Sequence, residues 1–127
     1  MRIAPLAAQR LRDGTIPKGD VLAAAQIAAI LAAKRTAEWI PLCHPIPLQG
    51  VEVCFDWPQD DRLRCMVTAH AQGQTGVEME ALTAVSAALL TVYDMLKSLD
   101  KHMVLEEIML LAKSGGRSGH YVRPAGT

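Results

Sequence analysis

Apolar and polar positions alternate strictly over two neighbouring stretches of the chain. Val51, Val53, Phe55 and Trp57 point one way, and Glu52, Cys54 and Asp56 the other. Leu63, Cys65, Val67, Ala69 and Ala71 then alternate with Arg62, Arg64, Met66, Thr68 and His70. A period of two marks half-buried strands. With Pro58–Asp61 as a turn between them, the two strands predict an antiparallel hairpin. Elsewhere the pattern is helical. Gly76 to Lys97, GVEMEALTAVSAALLTVYDMLK, carries no charge between Ala81 and Val92 and is rich in Ala, Leu and Met, which favour helix. A helix apolar all round has to be covered on more than one side. Its charges gather at its ends, Glu78 and Glu80 at the start, Asp94 and Lys97 at the finish.

Val21 to Trp39 predicts a second helix, with Val21, Ala24, Ala28, Leu31 and Ala32 on one face and Asp20 as its N-cap. Leu6, Gln9, Arg10 and Asp13 fit a short helix after Pro5, stopped by Gly14. Ile40 to Gln49, IPLCHPIPLQ, holds three prolines around Cys43-His44 and predicts a stiff extended loop. Met103 to Ala112 reads as a further strand, with Val104, Ile108 and Leu110 on one face and Glu106 and Glu107 marking an edge or a bulge. The terminal HYVRPAGT reads as loose. Helices interspersed with an antiparallel sheet predict an α+β sandwich with the helices on one face.

The chain has 127 residues, half of them apolar and 4% aromatic, so its core must be built from aliphatic side chains. Alanine-rich helices bury little area each, and small domains of this kind often complete their burial by oligomerising. Thirteen basic residues balance thirteen acidic ones, which speaks against a nucleic-acid partner. Cys43, Cys54 and Cys65 form no C-x-x-C and fit a reduced, cytoplasmic setting. No secretory signal pattern is legible at the start. The longest uncharged run, Val21 to Ala33, is shorter than a membrane span of ~20 residues, so neither export nor a membrane is expected.

The ends of the long helix are candidates for chemistry. Glu80 and Asp94 share a face, yet fourteen positions at ~1.5 Å each place them about 21 Å apart. If both serve one pocket, a second copy has to supply one of them, as antiparallel pairing in a symmetric dimer would do. Lys18, just before the second helix, is either a solvated turn lysine or part of an anion site at a helix N-terminus. Lys113 to Gly119, KSGGRSG, is either a polar loop or a backbone cradle for phosphate with Lys113 and Arg117 as cations. It does not follow the Walker pattern. Cys43 beside His44, with His70, His102 and His120 scattered, supplies no metal-ligand spacing, and no metal site is expected.

Taken together, KGDV at Lys18, AAKRT ending at Thr36, IPLCHP from Ile40, TGVEMEALTA from Thr75, VYDMLK ending at Lys97 and LLAKSGGRSG ending at Gly119 resemble the MoaC family of cyclic pyranopterin monophosphate synthases in molybdenum cofactor biosynthesis. The resemblance spans Lys18 to Gly119. It implies a ferredoxin-like fold and a hexamer built as a trimer of dimers, with sites at dimer interfaces. It also implies conversion of 3′,8-cyclo-7,8-dihydroguanosine 5′-triphosphate to cyclic pyranopterin monophosphate and pyrophosphate. Carried over by position, Lys18 and Lys97 match the family's catalytic lysines, with Asp94 beside Lys97. Glu78, Met79 and Glu80 match its guanine-side contacts, and Cys43, His44 and Lys113 join the substrate-binding set, His44 and Lys113 towards the triphosphate. No cofactor is required, although Mg²⁺ can accompany a triphosphate. The family usually has some thirty further N-terminal residues with a V-D-x-x-x-K segment and a phosphate-reaching arginine. Residues 1–127 thus read as one MoaC-like domain without that arm. Gln74 stands where lysine is common, and Arg117 replaces a frequent lysine. A purine-nucleotide-binding oligomer without turnover is the alternative reading, and a purely structural assembly partner a third.

Overall fold

The structure, a computed structural model, describes residues 1–73 and 75–127; Gln74 lies outside the described residues. The hairpin forms as the alternation predicts: β1 (Leu48–Gln59) pairs antiparallel with β2 (Arg62–Ala71), Val53 opposite Val67 and Phe55 opposite Cys65. The register slips between Asp56 and Gln59, around Pro58, which has no N–H to give to the ladder. At the hairpin tip, the Arg12 guanidinium lies 4.0 Å from the Trp57 ring centroid and its NH2 group donates to the Asp60 carbonyl.

Three residues at the start of the chain extend this sheet. Arg2 N donates to Val104 O and Val104 N to Arg2 O, at 2.9 and 3.1 Å. On the other side, Ile3 N donates to Asp61 O and Leu63 N to Met1 O. The Met1–Ile3 segment is thereby laced between β2 and residue 104. In chain order the elements run strand, helix, strand, strand, helix, strand, the ferredoxin-like arrangement, with the first and last segments reduced to minimal strands. The expected strand over Met103–Ala112 shrinks to the single Val104 bridge. Glu107 takes φ 57, which no strand residue holds, and Glu106 turns to the Arg62 guanidinium. The chain recovers only at β3 (Ala112–Lys113), which pairs with β4 (Tyr121–Val122). The terminal segment expected to be loose therefore returns as a strand, and Arg123 N adds a 2.7 Å bond to Leu111 O.

Helices cover one face of the sheet. α1 (Pro5–Asp13) begins on its proline and ends on Gly14, whose φ of 68 suits a left-handed cap. α2 (Val21–Lys34) is capped by Asp20, whose carboxylate accepts from Ala23 N at 3.0 Å. The helix expected to run to Trp39 breaks at Arg35. The Thr36 hydroxyl, buried at the break, donates to the carbonyls of Ala32 and Ala33, and a short α3 (Thr36–Trp39) follows. α4 (Glu78–Leu96) packs along α2 and against β2. Ala84, Ala88, Val92 and Leu96 of α4 meet Val21, Ala25 and Ala29 of α2 with almost no exposed area. Small side chains let the two helices approach closely.

By length and composition α4 could cross a membrane, but it is packed as a core helix and carries Glu80 and Thr83 buried among its neighbours. The buried face of α2 follows the expected one only at Val21 and Ala32. Ala25, Ala29 and Ala33 replace Ala24, Ala28 and Leu31 in the core stripe, and Leu31 and Ile27 are turned out, 48% and 60% exposed. Periodicity cannot choose a face on a helix with no polar side.

Asp100 ties the break after α4 to the rest of the domain. It is buried, one carboxylate oxygen accepting from Ala4 N and the other from His102 N, both at 2.8 Å. Asp100→Ala would orphan both amides. Bonds to a charged acceptor contribute ~1.5–3 kcal/mol each, so a fall in unfolding free energy of about 3 kcal/mol is expected in urea denaturation, with an unchanged m-value. A change below about 1 kcal/mol would contradict this role.

Candidate active site

The expected site residues gather at the two ends of α4. At its C-terminal end, the turn before α2 brings Lys18 to Asp94, seventy-six positions later. Lys18 Nζ donates to the Asp94 carbonyl at 3.2 Å and stands 3.8 Å from its carboxylate. Lys97 Nζ donates to the same carboxylate at 2.6 Å, one helical turn on. Both ammonium groups also sit at a helix C-terminus, where exposed carbonyls favour cations. The Lys97 hydrogen bond, then the charge of Lys18, holds the Asp94 carboxyl below its usual range, and Asp94 in turn raises Lys97. All three side chains are about half exposed. In the single chain Lys97 is thus an ammonium secured by Asp94.

At the N-terminal end, α4 has no side-chain cap from Val77. Glu78 compensates: its carboxylate curls back to its own amide, and this bond, followed by one from Lys113, lowers its pKa. The fold-back needs Gly76, since a Cβ there would come within 2.5 Å of the Glu78 carboxylate. Lys113 Nζ lies 3.0 Å from Glu78 and bonds to the Ser118 hydroxyl. Glu78, Leu110, Lys113, Ser118, His120 and Tyr121 line one recess. Glu80 is 5% exposed; burial raises its pKa and the charge of Glu78 adds to this, opposed by its own amide and by His44. Met79 is partly exposed beside it. Cys43 is a half-buried free thiol in the prolyl loop, its N–H donating to the Ile40 carbonyl at 3.1 Å.

The three lysines are therefore divided, Lys18 and Lys97 at one end and Lys113 at the other. Along the C-terminal half of α4 runs a groove lined by Ala28, Leu31, Trp39, Ala87 and Leu90, with Arg35 and Thr91 as its polar members, and it ends at Asp94. Reading residue by residue had not singled out Gly76, Ser118, His120 or Tyr121. The first two lie inside the motifs TGVEMEALTA and KSGGRSG, so the signal was present in the loop chemistry. His120 and Tyr121 fell in the segment taken for a tail. Among the described residues, no three His, Cys, Asp or Glu side chains converge as metal ligands.

A ferredoxin-like α+β domain with paired lysines around one aspartate, and a second lysine–glutamate pair beside a glycine loop, places the chain in a defined class. It belongs to the MoaC family, whose profile matches residues 1–116. Its relatives carry a specific name. Proteins of Bacillus thuringiensis (strain Al Hakam), Bacillus cereus (strain AH820) and Bacillus anthracis (strain CDC 684 / NRRL 3495), each called cyclic pyranopterin monophosphate synthase, are 57% identical to it over 117 residues. The match takes in 90% of this chain and 73% of each relative.

Proposed function

We propose that this chain is a cyclic pyranopterin monophosphate synthase, a lyase that converts 3′,8-cyclo-7,8-dihydroguanosine 5′-triphosphate to cyclic pyranopterin monophosphate and pyrophosphate. The observation that carries the proposal is the Lys18–Asp94–Lys97 cluster. Rearranging a purine-derived ring into a pterin needs protons moved on nitrogen and carbon, and a fixed ammonium beside a carboxylate is suited to that. A site that only bound nucleotide would have no need of two amines on one carboxylate.

The remaining residues fit the rest of the substrate. Glu78, Met79 and Glu80 stand at one edge, where carboxylates accept from guanine-type N–H groups. Lys113 and His44 face the triphosphate, where fixing the chain aligns a ribose hydroxyl for attack on the α-phosphate. The new P–O bond forms as the bond to the β-phosphate oxygen breaks, so pyrophosphate leaves. Any Mg²⁺ arrives on the triphosphate.

One chain holds these groups too far apart for one small molecule. We therefore place the working site between two copies, paired antiparallel through the outward apolar face of α2 and α4, within a trimer of dimers. Ile27, Leu31, Trp39 and Leu90 are each 48% exposed or more on the single chain, and a patch of that kind calls for a partner. Three free thiols, Cys54 exposed, suit a reducing compartment, the cytoplasm.

Supplying the cyclised GTP derivative tests the proposal. Release of pyrophosphate together with a pterin that oxidises to a fluorescent product is expected. Tight binding with no product would replace it by the non-catalytic nucleotide-binding reading, and no binding by a structural role.

A further inference from the structure

The loop after Lys113 is shaped to return on its own first residue. Gly115 and Gly116 take φ 81 and 73, values that favour glycine, and they reverse the chain. The turn packs against the N-terminal end of α4: a Cβ on Gly116 would stand in ordinary contact, 3.4 Å from Gly76 N and 3.5 Å from Lys113 Nζ. The reversal carries Ser118 back to the Lys113 ammonium, and the β3–β4 pair, with Lys113 opposite Tyr121, closes the loop's base. The Lys113 side chain is 13% exposed, far less than Lys18 or Lys97.

We infer that Ser118 is a positioning residue for Lys113, its hydroxyl fixing the ammonium in the recess beside the N-terminus of α4 so that one N–H is presented to a phosphate oxygen. An ammonium has three donors. Glu78 takes one and Ser118 a second, which leaves one for a ligand. The two partners differ in effect. Glu78 offsets the charge that a phosphate needs, whereas the serine holds the amine without offsetting it. Without the hydroxyl, the amine is held by the carboxylate alone and is drawn towards it. This rests on the reading above that Lys113 faces the triphosphate. Ser118 is itself exposed, so its removal leaves the core untouched.

Inorganic tripolyphosphate serves as the probe, titrated calorimetrically into the full chain. Ser118→Ala is expected to weaken its binding by about 10-fold, the lower end of the scale for a hydrogen bond to a charged group, and to raise KM for the cyclised substrate while kcat stays near wild type. Ser118→Thr, which keeps the hydroxyl, should restore both. Mass-spectrometric footprinting with an amine-acylating reagent should show Lys113 labelled more slowly in Ser118→Ala than in wild type, because the ammonium drawn onto Glu78 is less available for acylation, a change that a general structural role would not confine to this lysine. Wild-type tripolyphosphate affinity and labelling in Ser118→Ala would overturn the inference, and so would failure of Ser118→Thr to rescue. If wild type releases no pyrophosphate from the cyclised substrate while Ser118→Ala still weakens tripolyphosphate binding, the proposed activity fails and the role of Ser118 stands.

Discussion

Lys97→Ala is expected to reduce pyrophosphate release by about 10²–10⁴-fold, the range over which a positioned proton donor contributes, with the assembly intact. Lys97 lies past the last turn of α4 and is about half exposed, so the core does not depend on it. Its removal does not strand Asp94 either, because Lys18 still neighbours that carboxylate at 3.8 Å. The loss should therefore appear in kcat, with sedimentation and circular dichroism unchanged. The pH dependence follows from the same pair. Asp94 is lowered and Lys97 raised in the folded chain. The stability contributed by Asp94 is present above its unfolded pKa and lost as pH falls through its folded value. That of Lys97 is present below its unfolded pKa and lost as pH rises through its folded value. Both are fully present at neutrality, so this pair should give no slope in stability across neutral pH. If the ammonium is the donor, kcat/KM should decline only on an alkaline limb above the ordinary lysine range, and Asp94→Asn should move that limb down. Wild-type turnover in Lys97→Ala would remove this lysine from the mechanism.

Leu90→Glu is expected to separate the paired copies and abolish activity without unfolding the subunit. Leu90 is 51% exposed on the single chain, beside Leu31 in the groove that ends at Asp94. In a symmetric pair every substitution is made twice on the same interface, and each introduced carboxylate would have to be desolvated among apolar side chains. Losses of about 2–4 kcal/mol at a central interface position correspond to a dissociation constant raised roughly 30- to 700-fold. Analytical ultracentrifugation should show smaller species. Circular dichroism should show folded protein, because Ala88, Leu89 and Val92, not Leu90, hold α4 in the core. Unchanged sedimentation with unchanged turnover would mean that this face is not where the copies meet.

The hairpin and the long helix were legible because each rests on local periodicity. Val51–Trp57 and Leu63–Ala71 alternate without exception, and Ala81–Val92 admits nothing but a covered helix. What escaped depends on distant partners or on conformations that composition does not encode. The 103–112 strand failed where Glu106 is claimed by Arg62 and Glu107 turns left-handed. The helix over 21–39 failed where the Thr36 hydroxyl takes up the last carbonyls of α2. No local pattern marks the Ser98–His102 stretch, yet Asp100 is the buried acceptor that secures the start of α1. The site was legible in its residue types and in its division between two ends of one helix. That Lys18 reaches Asp94, and Lys113 reaches Glu78, was not legible: no local pattern links residues so far apart in sequence, and the resemblance assigns Glu78 and Lys113 to different parts of the substrate.

The Leu31 and Leu90 face bears on the whole proposal: side chains that a lone subunit leaves in water line the groove that ends at Asp94, one of the two clusters that a small substrate must bridge. Co-refolding two inactive variants, Lys97→Ala and Lys113→Ala, reads this most directly. In a mixed pair one site carries both lesions and the other carries neither. Random pairing of equal amounts should therefore restore about one quarter of the wild-type sites, measured as pyrophosphate released per subunit. A mixture as inactive as either variant alone, from subunits shown to have exchanged, would mean that each site is built within a single chain.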